Sequence, residues 1–320
     1  KMVIRDFQWR FKELIASTPT ASWRKDKFLL TLSWPTALAL QNNLGSHLVV
    51  GQDVLDWMNN EYNTRILPAY NLRSQIGSDE GYDFLYPHQR VDVQFIEKSR
   101  RMIIANDVGS GKSIASVAGL RNLAENCGEE VFPLLIVAPN STKIGWGREF
   151  EKAWPGRNVH TLHGTAAQRK KTFKNFTEEG GEVLIMNWEQ VRHHSRLLAY
   201  GGTALKRCTE CGGLDENVKA TACEAHDKEL NFIEFNSVIG DEVHRISDPS
   251  TKIARSFKSA TGNAEFRIGL SGTPINATPD QLYSALNWLY PESYPSKVKF
   301  IDRFCVLTPS QWGPPIISGI

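Results

Sequence analysis

From residue 101 onward the chain alternates short, unbroken apolar runs with longer stretches in which apolar residues return every three or four positions. Runs at 102–105, 134–138, 158–162, 183–187, 237–240 and 267–270 read as strands buried on both faces. The stretches 112–125, 145–154, 166–176, 250–259 and 280–290 carry the helical period. This order predicts an α/β fold: a mostly parallel sheet with helices on both sides. Ligands of such sheets sit beyond the carboxyl ends of the strands, so functional residues are expected just after each run.

The first 80 residues follow a different pattern. An amphipathic stretch at 7–16, an apolar run at 28–32 and a helical segment at 51–62 are spread among Trp9, Trp23, Trp34 and Trp57. That is enough aromatic surface for a small accessory domain over 1–80, and the alternative use of those rings is a stacking platform for nucleic acid. Residues 71–82, rich in Ser, Gly and acids, read as the linker. A length of 320 residues fits about two domains, and 41% hydrophobic with 22% charged residues describes an ordinary globular composition. A net charge of +2 is too mild to announce a polyanionic partner, so any basic surface must be local. No apolar run approaches a membrane span, and the stretch K-M-V-I-R-D-F-Q has no signal-peptide core, so an intracellular protein is expected.

The chemistry begins at Arg101–Ser113, R-M-I-I-A-N-D-V-G-S-G-K-S. A strand, a loop with Gly109 and Gly111, and a helix opening at Lys112 and Ser113 place free backbone N–H groups at a helix N-terminus, which attracts phosphate. Asp107 and Ser110 complete the loop; the Lys112 ammonium reaches terminal phosphates and the Ser113 hydroxyl suits magnesium. Asn106 stands where such loops usually carry glycine, and asparagine tolerates a left-handed backbone. Upstream, Gln89 offers a carboxamide donor and acceptor together, which suits the adenine edge. The strand at 237–240 ends in Asp241 and Glu242, a pair suited to holding magnesium and orienting a water. The last strand ends in S-G-T-P, where Ser271 and Thr273 can couple the acidic loop to its neighbours.

Six ordered segments, Y-P-H-Q-R, A-N-D-V-G-S-G-K-S, L-I-V-A-P-N-S, V-L-I-M-N-W-E, D-E-V-H-R and L-S-G-T-P-I, resemble the first RecA-like lobe of superfamily-two helicases and translocases, closest to the Swi/Snf-like branch. The resemblance runs from Leu85 to about Tyr290 and implies a lobe over 81–300 that binds ATP and magnesium. The family loop is usually A-D-E-M-G-L-G-K-T, so Asn106, Asp107, Val108, Ser110 and Ser113 are substitutions, as is Val243 for the alanine of the D-E-A-H box. The resemblance also implies contacts to the backbone of duplex DNA from Pro139, Asn140, Ser141 and Lys143, from His163 and Gly164, and from Asn187. Trp146 and Trp188 read as core residues, with stacking on nucleic acid as the alternative.

Between the fourth strand and the acidic pair, an insertion over 203–230 carries Cys208, Cys211, Cys223 and His226, spaced C-x2-C-x11-C-x2-H. Three thiolates and an imidazole make a closed tetrahedral zinc shell, which is structural because no coordination position is left open. His193 and His194 are alternative ligands without the paired spacing. A motor of this class needs a second RecA-like lobe, and the tail at 301–320 is too short to hold one, so that lobe is expected elsewhere in a longer polypeptide or on another chain. Two other readings stay open on sequence: an RNA helicase or restriction-type motor subunit on the same architecture, and a non-catalytic zinc-containing binding module.

Overall fold

The computed structural model describes residues 2–4, 7–18, 21–30, 32, 34–63, 82–198, 206–207, 214–215, 228–308 and 316–319. The expected linker, except Tyr82, and all four expected zinc ligands lie outside the described residues. The chain forms two compact units, one of Lys1–Asn71 with Ile275–Ile320 and one of Leu72–Pro274. The second unit ends at Pro274, and the segment after it clusters with the N-terminal residues.

In the first unit, β1 (Met2–Ile4), β2 (Ser22–Arg24) and β3 (Lys27–Leu30) form an antiparallel sheet in the order β1-β3-β2. Helices α1 (Lys12–Ala16), α2 (Trp34–Leu44) and α3 (Gln52–Glu61) accompany it. Its core gathers Met2, Ile15, Phe28, Leu30, Leu40 and Leu44. Helix α2 was not among the expected elements, although Pro35 in its first turn is compatible with a helix start.

The second unit opens with α4 (Pro87–Ser99), followed by β4 (Arg101–Ile104), α5 (Lys112–Glu125), β5 (Leu134–Ala138) and α6 (Lys143–Ala153). Then come β6 (Val159–Thr161), α7 (Ala166–Glu178), β7 (Val183–Asn187), α8 (Trp188–His194), and the short strands β8 (Lys206–Arg207) and β9 (Leu214–Asp215). The lobe closes with β10 (Ser237–Asp241), α9 (Lys252–Thr261) and β11 (Phe266–Leu270). All six expected strands form, in one parallel sheet of order β4-β11-β10-β5-β7-β6. The four inner strands are the apolar runs, and β5, β7 and β11 are buried along their whole length. One face packs Ile136, Ile185, Ile239 and Ile268 against Ile96, Leu120, Trp146 and Phe150. On β10, Gly240 lies close to Trp188 and Phe257, where a Cβ would stand 3.5 and 3.4 Å from their rings. After the lobe, α10 (Leu282–Leu289), α11 (Lys297–Phe304) and the antiparallel pair β12 (Val306–Thr308) and β13 (Ile316–Gly319) complete the first unit.

Candidate nucleotide and nucleic-acid site

The parallel register sets the level of every loop at the carboxyl edge. Leu270 pairs with Ile104, Asp241 with Leu270, and Gly240 with Val137. The phosphate-type loop, the Ser271 turn and the acidic pair therefore leave three adjacent strands at one height. With neighbouring strands about 4.8 Å apart, Ile104 and Asp241 are separated by two spacings, about 10 Å.

The loop after β4 turns through Gly109 (φ 84°) and Gly111 (φ 79°), conformations that cost an L-residue about 1–2 kcal/mol. At Gly111 the constraint is also steric, because a Cβ would stand 2.1 Å from Gln89 Nε2. Gln89 is committed at both ends: Nε2 donates to Ser110 O (2.9 Å) and Oε1 accepts from the Tyr86 N–H (2.9 Å). His88 Nε2 also lies 2.9 Å from Ser110 O. Gln89 thus clamps the loop to the start of α4. Lys112 Nζ donates to the carbonyls of Asn106 (2.9 Å) and Asp107 (2.8 Å), which holds its ammonium inside the loop. Among the described residues Ser110 Oγ is buried without a hydrogen-bond partner. Ser113 stands at the second position of α5, beside the free N–H groups of its first turn.

Asn106 does not take the left-handed backbone that its place suggested. Its side chain works instead: Nδ2 donates to Asp92 Oδ2 at 2.7 Å. Asp92 is 9% exposed, and burial pushes its carboxyl up to about 6 against the opposing effects of the Asn106 bond and the charges of His88 and Lys112. Asp92 carries no motif signal in the sequence; the one trace of the pair is Asn106 itself, which stands where the family loop carries an acid.

Asp241 is held from two directions. Its Oδ2 accepts from Trp146 Nε1 (2.9 Å) on α6, with Thr142 Oγ1 at 3.5 Å, and its carbonyl accepts from Trp188 Nε1 (2.8 Å) on α8. Both indoles are buried, so the core reading of these tryptophans holds. Burial raises the Asp241 carboxyl above its ordinary range; the Trp146 bond pulls it down and the Glu242 charge pushes it up again. Glu242 takes a left-handed backbone (φ 55°, ψ 52°), a strained position for a residue with a side chain. Its Oε2 meets His244 Nδ1 at 3.1 Å and Ser271 Oγ at 3.5 Å, and Ser271 Oγ also lies 3.1 Å from His244 Nδ1. The Thr273 N–H donates to Ser271 Oγ (3.1 Å), and the Ser271 N–H to Ile104 O (3.2 Å). The S-G-T turn therefore touches both the acidic loop and the end of β4. It also packs on the phosphate-type loop, since a Cβ on Gly272 would stand 2.8 Å from Val108 Cγ2. Room for Val243 comes from Gly269, whose Cβ would lie 3.0 Å from Val243 Cγ1.

The candidate DNA contacts follow β5, β6 and β7 along the same edge. Asn140, Ser141, His163 and Gly164 are exposed and Pro139 is half-buried. Lys143 and Asn187 differ, at 5% and 8% exposure. Burial lowers the Lys143 ammonium below its usual range, as does Arg169, against the attraction of Glu189. Asn187 Nδ2 donates to Glu189 Oε2 (2.7 Å), and Glu189 pairs with Arg245 (2.9 Å). These two side chains are therefore buried rather than presented at the surface of that edge.

The donor set fits ATP with magnesium: a glycine-turned loop carrying a lysine, a hydroxyl at the helix start, and a strand-end carboxylate are hard-oxygen and N–H groups. Fold and loop together define a RecA-like P-loop lobe of the first, nucleotide-loop type. The chain belongs to the SNF2-related family, whose domain model matches residues 51–309. It is 30% identical over 202 residues to human chromodomain-helicase-DNA-binding protein 8, covering 63% of this chain and 7% of that protein. To the human chromodomain-helicase-DNA-binding protein 9 it is 30% identical over 208 residues, covering 64% of this chain and 6% of the relative. The chain thus spans under a tenth of these relatives. A Sulfolobus solfataricus SWI2/SNF2 ATPase core, solved in complex with double-stranded DNA, shares the fold with a TM-score of 0.51 and 21% identity over 69% of this chain and 38% of that one.

Proposed function

We propose that the chain is the ATP-binding lobe of an ATP-dependent translocase that moves on double-stranded DNA. The observation that carries this reading is the common level of Ile104, Leu270 and Asp241 on adjacent parallel strands, which gathers a phosphate-type loop, a coupling turn and an acidic pair. Lys112 and the loop N–H groups of Asp107, Gly109, Ser110 and Gly111 would receive the phosphates, and Ser113 with Asp241 the magnesium. Bound magnesium supplies charge neutralisation on the transferred phosphate. Glu242 would orient the attacking water, with His244 and Ser271 fixing its carboxylate. Gln89 would act at the nucleotide through the loop it clamps, its amide being bonded to Ser110 O and the Tyr86 N–H, in place of the direct adenine contact expected of it. Ser271 and Thr273 would carry the change at Glu242 to the neighbouring loops.

Pro139, Asn140, Ser141, His163 and Gly164 would meet DNA phosphates, which carry no base information, with Lys143 and Asn187 supporting those loops. Asp241 accepts from Trp146 with its carboxylate and from Trp188 with its main-chain carbonyl, at the helices that follow the β5 and β7 loops, so the nucleotide and DNA edges share one residue. The DNA assignment is supported by the names of the chromodomain relatives and by the duplex in the solved archaeal core. Hydrolysis would need arginines from a second RecA-like lobe, supplied by a longer polypeptide or another chain. Cys208, Cys211, Cys223 and His226 would form a structural zinc site. Supporting it, Lys206–Arg207 and Leu214–Asp215 pair as antiparallel strands on either side in sequence of Cys208 and Cys211.

The test is the ATPase rate of the motor assembled with its second lobe, with and without duplex DNA, single-stranded DNA and RNA. Stimulation by duplex DNA that disappears in Lys112→Ala is expected. An unchanged rate in Lys112→Ala would overturn the motor reading in favour of a binding module. The 320-residue chain alone is expected to turn over slowly.

A further inference from the structure

Among the described residues of the first unit, Trp9 and Trp23 are exposed indoles that lie outside its core. Strand β2 sets Trp23 opposite Phe28, and the segment before α1 folds Phe7 and Trp9 against it. The Trp9 and Trp23 rings meet edge to face, with centroids 6.2 Å apart at 85°, and Phe7 meets Trp23 at 5.7 Å and 90°. Trp9 remains 67% exposed and Trp23 39% exposed. Neither belongs to the buried cluster built on Ile15, Phe28, Leu30 and Leu40, so the core of the unit is complete without them. A single exposed tryptophan needs no explanation, but two in contact form an apolar patch that water solvates poorly.

The charge around the patch says what would cover it. Lys12 Nζ lies 4.1 Å from the Trp9 ring centroid and 5.6 Å from that of Trp23. Arg10 is the residue after Trp9, Arg24 stands opposite Lys27 in the hairpin, and Lys25 forms its left-handed tip (φ 55°). Residues 7–30 carry these five cations against the two acids Glu13 and Asp26. Exposed aromatic rings bordered by cations match a polymer that offers flat rings and phosphates together. Duplex DNA hides the faces of its bases, whereas a single strand presents them.

We propose that this face of the first unit binds single-stranded DNA. Bases stack on Trp9 and at the exposed edge of Trp23, and Lys12, Arg10 and the hairpin cations neutralise the phosphates. The choice of DNA over RNA rests on the motor reading given above; the stacking does not.

The test is fluorescence anisotropy of the 320-residue chain with four labelled probes: a thymidine 12-mer, an abasic 12-mer of the same backbone, a uridine 12-mer and a hairpin duplex. Trp9→Ala is expected to weaken thymidine 12-mer binding about 5- to 140-fold, which is base stacking of about 1–3 kcal/mol converted at about 1.4 kcal/mol per tenfold. Trp9→Phe should lose much less, and the abasic probe should bind wild type as weakly as the thymidine probe binds Trp9→Ala. Duplex affinity and the circular-dichroism melting curve should not change with Trp9→Ala. Equal binding of thymidine and abasic probes, indifference to Trp9→Ala, tighter binding of the uridine probe, or no thymidine binding by a folded wild type would each overturn the proposal. Duplex binding that persists in those cases leaves the motor reading standing, so the two failures are separable.

Discussion

Replacing Asp92 by asparagine should stabilise the chain at neutral pH. Asp92 is buried beside the phosphate-type loop, and its carboxyl is raised from 3.8 to about 6. Raised by about two units, it makes the ionised form cost about 3 kcal/mol of folding free energy at pH 7.5, at about 1.36 kcal/mol per unit. The sign follows from proton binding. The folded protein holds the proton more tightly than the unfolded chain, so this contribution is complete below pH 3.8 and is lost as pH rises through about 6. Asparagine mimics the neutral form and can still accept from Asn106 Nδ2. Urea denaturation followed by circular dichroism at pH 7.5, 6.0 and 5.0 should show Asp92→Asn more stable by up to about 3 kcal/mol at pH 7.5. For a lobe of this size that is roughly 6–12 °C in melting temperature. The gap should shrink as pH falls. A variant less stable than wild type at pH 7.5, or a gap independent of pH, would refute the argument that burial outweighs the Asn106, His88 and Lys112 contributions.

Trp146→Phe removes the Nε1–H that bonds Asp241 and should cost about 1.5–3 kcal/mol of stability. Because that bond favours the ionised carboxylate, the acid limb of the ATPase pH profile of the two-lobe motor should move to higher pH. Gly111→Ala places a methyl group into Gln89 Nε2 in a left-handed backbone, and titration with a fluorescent ATP analogue should show at least a tenfold weaker complex. Elemental analysis of purified chain should find about one zinc per molecule, and less in Cys223→Ser; a zinc-free wild type would dismiss the Cys208, Cys211, Cys223 and His226 site.

The lobe was legible in the sequence because its strands are buried on both faces, which writes them as unbroken apolar runs such as Leu134–Ala138 and Val183–Asn187. The glycine-turned loop and the helix start after it were legible because they are local: Gly109, Gly111, Lys112 and Ser113 lie within five residues of chain. What escaped is non-local. The bond between Trp146 and Asp241 joins residues 95 positions apart, and no spacing rule announces it. The pairing of Asp92 with Asn106 crosses from α4 to the loop, and neither residue is unusual on its own. Gln89 was read for the hydrogen-bonding capacity of its amide, but the sequence could not say that a cap at Tyr86 and the carbonyl of Ser110 would use it. The clustering of Ile275–Ile320 with the N-terminal residues depends likewise on contacts such as Lys299 Nζ with the Ala21 carbonyl, 278 positions apart. The exposure of Trp9 and Trp23 is also a tertiary property: composition counts aromatic rings without saying which remain in water.

Whether three strand-end loops receive one magnesium-bound triphosphate is tested, without requiring turnover, by equilibrium binding of a fluorescent ATP analogue to the 320-residue chain. Binding that needs magnesium and weakens at least tenfold in both Lys112→Ala and Asp241→Asn, with the fold intact by circular dichroism, is the predicted result. Magnesium-independent binding, or equal affinity in wild type and both variants, would contradict it.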